Sequence, residues 1–135
     1  MNDPFQGFVP VGFITFLVIT LAFLGSVVLT GLRAKRRVHL TLVVFAIASL
    51  GITVYFAERL GELYDLESAG LIYPVHLFFA KVTTVAYLLP VLSGIATIRN
   101  PIRINLHRRI AFGVLALTIV TAVTGTVMVL LSTPL

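Results

Sequence analysis

Two histidines stand beside clusters of basic residues at the start of long apolar runs, His39 in one run and His107 in another. Four arginines adjoin them: Arg36, Arg37, Arg108 and Arg109. Two imidazoles that face each other between membrane helices can ligate haem b or a metal ion, and nearby guanidinium groups can neutralise haem propionates. The alternative is an interfacial anchor, in which each histidine caps its helix or contacts lipid phosphate. The residue types therefore predict either a shared cofactor site or two anchors.

The third histidine, His76, and one lysine, Lys81, lie inside an apolar segment. Ionisable groups in such a segment need a partner because lipid does not solvate them. We expect His76 to join a hydrogen-bonded cluster, or to act as a further metal ligand or proton-relay group. The expected cluster partners are Tyr73, Tyr55 and Glu58. We expect Lys81 to be buried in protein and paired with Glu58. The alternative is that Lys81 faces a partner protein or a cofactor carboxylate.

The composition predicts a membrane protein. Hydrophobic residues make up 59% of the 135 residues and charged residues 11%, which is too little polar surface for a chain in water. Four segments are nearly free of ionisable side chains and long enough to cross the bilayer as helices. We predict an all-α integral membrane four-helix bundle, one transmembrane domain over residues 1–135, with helices at about 9–32, 38–58, 71–98 and 107–132. Since the chain has no cysteine, thiolate metal sites and disulfides are excluded.

Acidic and basic residues sort to different loops. Eight of the ten bases lie in the first and third loops: Arg33, Lys35, Arg36, Arg37, Arg99, Arg103, Arg108 and Arg109. The five acids lie elsewhere: Asp3, Glu58, Glu62, Asp65 and Glu67. The positive-inside rule then places the basic loops in the cytoplasm and both termini on the periplasmic or extracellular side of a bacterial inner membrane. The net charge of +5 is thus a topological signal, which favours lipid contact at the basic loops and argues against nucleic-acid binding.

The two halves of the chain form a weak internal repeat. Each half has an apolar span, a basic loop, a histidine and a second apolar span. Such a parallel repeat predicts two helical hairpins related by an axis along the membrane normal, with His39 and His107 at matching depths.

Two features of the second half concern helix packing. Pro90 predicts a kink in the third helix between Tyr87 and Ser93, because proline cannot donate a backbone hydrogen bond. The fourth helix carries a stripe of small residues: Thr118, Thr121, Ala122 and Gly125. Small residues let membrane helices approach closely, so this face is expected to pack against another helix.

Several motifs are shared with a known family: His107-Arg108 followed by Ile110, then Thr121-Ala122-Val123-Thr124-Gly125, together with His39 and Tyr55. From about Gly31 to Leu131 the chain resembles the small four-helix membrane proteins that include assembly factors of bacterial haem–copper cytochrome c oxidase. The resemblance implies intramembrane histidines that bind haem or metal, and a role in maturing or supporting a terminal oxidase. The family has a histidine at about the position of Lys81, whereas this chain has His76, so the resemblance supports His39 and His107 as the ligand pair.

Two classes of function follow. The sequence has no nucleophile–base pair, HExxH motif, phosphate-binding glycine loop or carboxylate dyad, so we expect a protein that is not an enzyme. One class is an assembly factor or accessory subunit of a larger respiratory or photosynthetic membrane complex, which the resemblance and Lys81 favour. The alternative is a small b-type cytochrome that passes electrons between a quinol and a partner protein, which the histidine pair favours.

Overall fold

The computed structural model describes residues 4–135, with side chains from Gly7 onward. Its helices are α1 (Pro4–Leu32), α2 (Arg36–Leu63), α3 (Ile72–Ala86), α4 (Leu88–Arg99) and α5 (Ile104–Leu131). Two short strands, β1 (Tyr64–Asp65) and β2 (Thr133–Pro134), complete the regular structure with 3-10 turns at Leu66–Ala69 and Pro101–Arg103. The fold class is all-α, as the composition predicts. The predicted outward position of Asp3 lies outside the described residues.

Four helical stretches of the described chain are long and apolar enough to cross a membrane: Gly7–Leu32, Arg36–Leu63, Ile72–Arg99 and Pro101–Leu131. They coincide with the four predicted spans. Large apolar side chains are exposed along all four, such as Val18, Val44, Val85 and Val123. Lipid solvates such a surface and water does not. The chain is a multi-pass membrane protein.

Three helix boundaries differ from the prediction by three residues or more. The first helix begins at Pro4, five residues before its predicted start at residue 9. The second helix continues to Leu63, five residues past its predicted end at Glu58, because its charged side chains lie on the exposed surface of the helix and do not interrupt it. The last helix begins at Ile104, three residues before its predicted start. The turn before it is closed by Asn100, whose side-chain oxygen accepts a hydrogen bond from Ile102 N at 3.2 Å.

The chain divides into two compact units. Unit 1 comprises the residues up to Gly70 together with Met128–Leu135, and unit 2 comprises Leu71–Val127. Unit 1 contains the hairpin of α1 and α2. Unit 2 contains the hairpin of the third span, made of α3 and α4, with α5 up to Val127. The symmetry axis that the repeat predicts stays a prediction.

The core of unit 1 is aromatic and lies where α1 and α2 approach closely. Val9, Phe56 and Leu60 are buried together, and the Phe16 ring stacks on the Phe56 ring with centroids 5.7 Å apart. Gly12 lies against the same ring: a Cβ atom at this position would be 2.6 Å from Phe56 Cε1. The two helices can therefore approach this closely only because residue 12 has no side chain.

Buried hydroxyl groups join α1 to α2 in the interior of unit 1. The Thr20 side chain, with the residue 1% exposed, hydrogen-bonds Ser49 Oγ at 3.1 Å and Thr53 Oγ1 at 2.9 Å. Both hydroxyls on α2 also lie within hydrogen-bond distance of a carbonyl of their own helix, Ser49 of Ala46 O and Thr53 of Ser49 O, and each hydroxyl donates its one hydrogen to one of its neighbours at a time. Such small polar residues hold membrane helices together because lipid offers their hydroxyl groups no alternative partner.

The end of the chain is tied to the end of α2. Strands β1 and β2 pair antiparallel, and Leu135 N donates to Leu63 O at 2.9 Å. Thr133 N donates to Ser68 Oγ at 2.9 Å, which adds a link to the 3-10 turn after β1. Met128 is buried and Val129 packs on the aromatic core. The last turn of α5 is thus part of unit 1.

The regular helical structure of the third span is interrupted near Pro90 in unit 2, and the kink that Pro90 predicts stays a prediction. The third span breaks at Tyr87, since α3 ends at Ala86 and α4 begins at Leu88. The break lies three residues before the proline, in the turn where its missing N–H and its ring disrupt the helix.

The small-residue stripe of α5 packs against the third span, as predicted. Thr121 Oγ1 hydrogen-bonds Thr83 Oγ1 at 2.7 Å, and Thr118 Oγ1 hydrogen-bonds the Tyr87 hydroxyl at 2.7 Å. Unit 2 therefore uses the same kind of hydroxyl contact between helices as unit 1.

Candidate functional site

His39 lies half-buried in the first turn of α2 and faces α1. Its Nδ1 is 2.8 Å from the carbonyl oxygen of Val27. A carbonyl can only accept, so Nδ1 carries the hydrogen and the lone pair of the neutral ring is on Nε2. The ring lies on Gly31 of α1, where a Cβ atom would be 3.1 Å from His39 Cε1.

His107 makes the corresponding contact in the second hairpin. It is half-buried near the start of α5, and its Nδ1 is 2.9 Å from Ser93 Oγ on α4. The Ser93 hydroxyl also lies 3.3 Å from Pro90 O, and the tautomer of the imidazole decides which of the two contacts receives its hydrogen. The ring lies on Gly94, where a Cβ atom would be 3.3 Å from His107 Cε1.

His76 on α3 makes a contact of the same kind with α5. Its Nδ1 is 3.1 Å from Thr124 Oγ1 on α5, and that hydroxyl donates to Val120 O at 2.9 Å. A Cβ atom at Gly125 would lie 2.8 Å from His76 Cε1.

The partner of His76 differs from the expected one. We expected a cluster with Tyr73, Tyr55 and Glu58, whereas the hydrogen bond of the His76 ring is to Thr124. The ring faces α5 because Gly125 leaves room for it there.

All three histidines of the chain therefore occupy one kind of contact, which we call a histidine seat. In a histidine seat the ring packs on a glycine of the neighbouring helix and Nδ1 hydrogen-bonds a nearby oxygen of that helix. The three pairs are His39 on Gly31, His76 on Gly125 and His107 on Gly94. The seats at His39 and His107 occupy equivalent positions in the repeat. Each seat fixes the spacing of two helices within its own hairpin.

The arginines predicted to neutralise propionates fall into two groups. Arg36, Arg37 and Arg109 are exposed, whereas Arg108 is half-buried. The Arg108 Nε atom is buried and has no hydrogen-bond partner among the described residues. This donor next to His107 suits an anionic group such as a carboxylate.

The described residues do not bring a metal ligand set together. No group of three or more His, Cys, Asp or Glu side chains able to hold a metal ion occurs between Gly7 and Leu135. Within unit 2, His107 and the contact of His76 with Thr124 are 17 residues apart along α5, which is about 25 Å. These two histidines cannot share an ion. Haem b or a metal ion held jointly by His39 and His107 stays a prediction.

Lys81 is exposed, although we expected it to be buried in protein. It lies nine residues into the third span, about 14 Å along the helix from Ile72. Its neighbours on the same face, Phe78 and Val85, are 62% and 67% exposed. The expectation of burial assumed a partner within the chain. The surface of α3 instead presents this ammonium group outward, among apolar side chains.

The expected partner Glu58 is also exposed, as is Tyr55. The ion pair that the described residues do contain is on α2, between Arg59 and Glu62 at 2.7 Å. Arg59 also lies over the Tyr55 ring, 5.5 Å from its centroid. Sequence reasoning missed this cluster, although its spacing of four and three residues along one helix is a signal for such contacts.

Comparison of the chain with models of protein families, with curated proteins and with solved structures finds no match.

Proposed function

We propose that this protein is a non-enzymatic accessory subunit or assembly factor of a larger membrane complex. The observation that carries the proposal is the exposure of Lys81 in the middle of an apolar span. A lysine that faces lipid at this depth must bend towards the headgroups or find an anionic partner. A carboxylate on a membrane helix of another protein would satisfy it, and the exposed apolar side chains around it would pack against that helix.

The type of complex comes from the resemblance to assembly factors of haem–copper oxidases. We propose a respiratory complex of this type, or another electron-transport complex, as the partner. The histidine seats serve this role by holding each hairpin in one geometry.

The alternative of a b-type cytochrome needs ligation by both His39 and His107, and a reduced-minus-oxidised absorption spectrum of the purified protein tests it.

Replacing Lys81 with methionine is expected to lower recovery of the complex about tenfold, which corresponds to about 1.4 kcal/mol of binding free energy. The measurement is co-purification of haem–copper oxidase subunits with the tagged full-length chain from native membranes, quantified by mass spectrometry. Lys81→Arg, which keeps the charge, should retain most of the complex.

Lys35→Met is the matched control, because Lys35 and Lys81 are the only lysines and Lys35 lies in the exposed basic turn after α1. It should leave recovery within about twofold, a difference below about 0.5 kcal/mol. Equal recovery with Lys81→Met and with the unchanged chain would contradict the proposal. The thermal stability of the isolated protein should not fall in Lys81→Met, since the side chain makes no buried contact there.

The orientation of the protein is part of the same proposal. We place the basic loops in the cytoplasm of a bacterial inner membrane and the loop with Asp65 and Glu67 on the outer side. Because the chain has no cysteine, Glu67→Cys and Arg103→Cys each create a single reporter. In intact cells with a permeable outer membrane, an impermeant thiol reagent should label Glu67→Cys and spare Arg103→Cys. The opposite labelling would invert the topology.

A further inference from the structure

A groove of about 400 Å³ lies at the basic end of unit 1, between α1 and α2. Six residues line it: Phe23, Arg37, Val38, Thr41, Leu42 and Phe45. The groove is open to the surface rather than enclosed, so it suits a ligand that lies along the helices. The proposed function makes no use of it.

The groove is apolar except at one end. The Phe23 and Phe45 rings stack with centroids 5.7 Å apart and an interplanar angle of 15°, so an aromatic side chain from each helix contributes to the apolar lining. The Thr41 hydroxyl donates to Arg37 O at 3.0 Å, so its hydrogen is already used. The single charged group of the lining is the exposed guanidinium of Arg37, in the first turn of α2.

We propose that this groove binds an anionic phospholipid, with its phosphate on Arg37 and one acyl chain along the stacked rings. Guanidinium groups bind phosphate oxygens through two parallel hydrogen bonds. Nearby Arg33, Lys35 and Arg36 add positive charge that attracts an anionic headgroup. A zwitterionic headgroup carries its own cation and gains less from this charge. The chemistry of the groove therefore selects a lipid with a net negative charge.

The test is lipid binding by the purified full-length chain in a neutral detergent, followed by native mass spectrometry. Phosphatidylglycerol should bind about tenfold more tightly than phosphatidylcholine with the same acyl chains, and Arg37→Gln should remove this difference. Thr41→Phe, which fills the groove, should abolish binding of both lipids. Inorganic phosphate in millimolar excess should not displace phosphatidylglycerol, because it has no acyl chain for the apolar lining.

Arg33→Gln is the matched control, since Arg33 carries the same charge in the same basic segment but does not line the groove. It should keep at least half of the preference for phosphatidylglycerol. Equal losses in Arg37→Gln and Arg33→Gln would show that only the total charge matters and would overturn the proposal. Displacement by inorganic phosphate would also overturn it, because the site would then bind an anion without a lipid tail. Circular dichroism of each variant confirms that the helices are intact.

Discussion

Replacing Gly12 with alanine is expected to destabilise the protein by about 2 kcal/mol, a typical cost of overpacking a buried contact. The added methyl group would lie 2.6 Å from Cε1 and 2.7 Å from Cζ of Phe56. The Phe56 ring cannot move away easily, because it is buried and stacked on Phe16. The measurement is thermal unfolding of the full-length chain in detergent, followed by circular dichroism.

Gly25→Ala is the control for this substitution. Gly25 lies in the same helix, and a Cβ atom there would meet nothing within 4 Å. Alanine favours the helix over glycine by about 0.5–1 kcal/mol, so this variant should be at least as stable as the unchanged chain. If Gly12→Ala behaves like Gly25→Ala, then α1 and α2 do not approach as closely as described.

Replacing Gly125 with alanine is expected to destabilise unit 2 by a similar amount, about 1–3 kcal/mol. The new Cβ atom would lie 2.8 Å from His76 Cε1 and 3.2 Å from its Nδ1. The ring would have to leave its histidine seat and lose the hydrogen bond to Thr124. The loss should appear in thermal unfolding and as faster hydrogen exchange of the neighbouring amides on α3 and α5.

A double-mutant cycle separates the seat from other effects of this substitution. His76→Ala removes the ring, so adding Gly125→Ala to it should cost much less than Gly125→Ala alone. Gly113→Ala is the control on the same helix, because a Cβ atom there has open space. Additive effects of His76→Ala and Gly125→Ala would show that the two residues do not contact each other.

The number of helices and the break in the third span follow from the sequence by simple physics. Long apolar runs must hide their backbone polar groups from lipid as helices, and Pro90 cannot donate in the turn that precedes it. The stripe that includes Thr121 and Gly125 is also readable, because small residues at helical spacing mark close approach. These predictions need only residue type and spacing along one helix.

The contacts between helices cannot be predicted from residue type and spacing alone, because they depend on the angle and register of the helices. The histidine seat of His39 pairs it with Gly31, and nothing in either residue indicates the other until the angle and register of α1 and α2 are known. The link between Thr20 and Ser49 was missed for the same reason. Lys81 and Glu58 are both exposed in this chain, contrary to the burial we favoured, because a single sequence does not show whether a charge in a span is satisfied within the chain or by a partner.

The tie between β1 and β2 has a consequence for how the protein is made. Thr20, Gly12 and their partners on α2 all lie in the first half of the chain, so these contacts can form while the ribosome is still synthesising the third span. The Leu63 carbonyl cannot accept its hydrogen bond from Leu135 N until Leu135 has been synthesised. At about 5–20 residues per second this delay lasts several seconds. During that interval the backbone groups of β1 are solvated by water or lipid headgroups. The nascent first hairpin therefore enters the membrane with the end that carries β1 unpaired, and this end closes only once Leu135 has been synthesised.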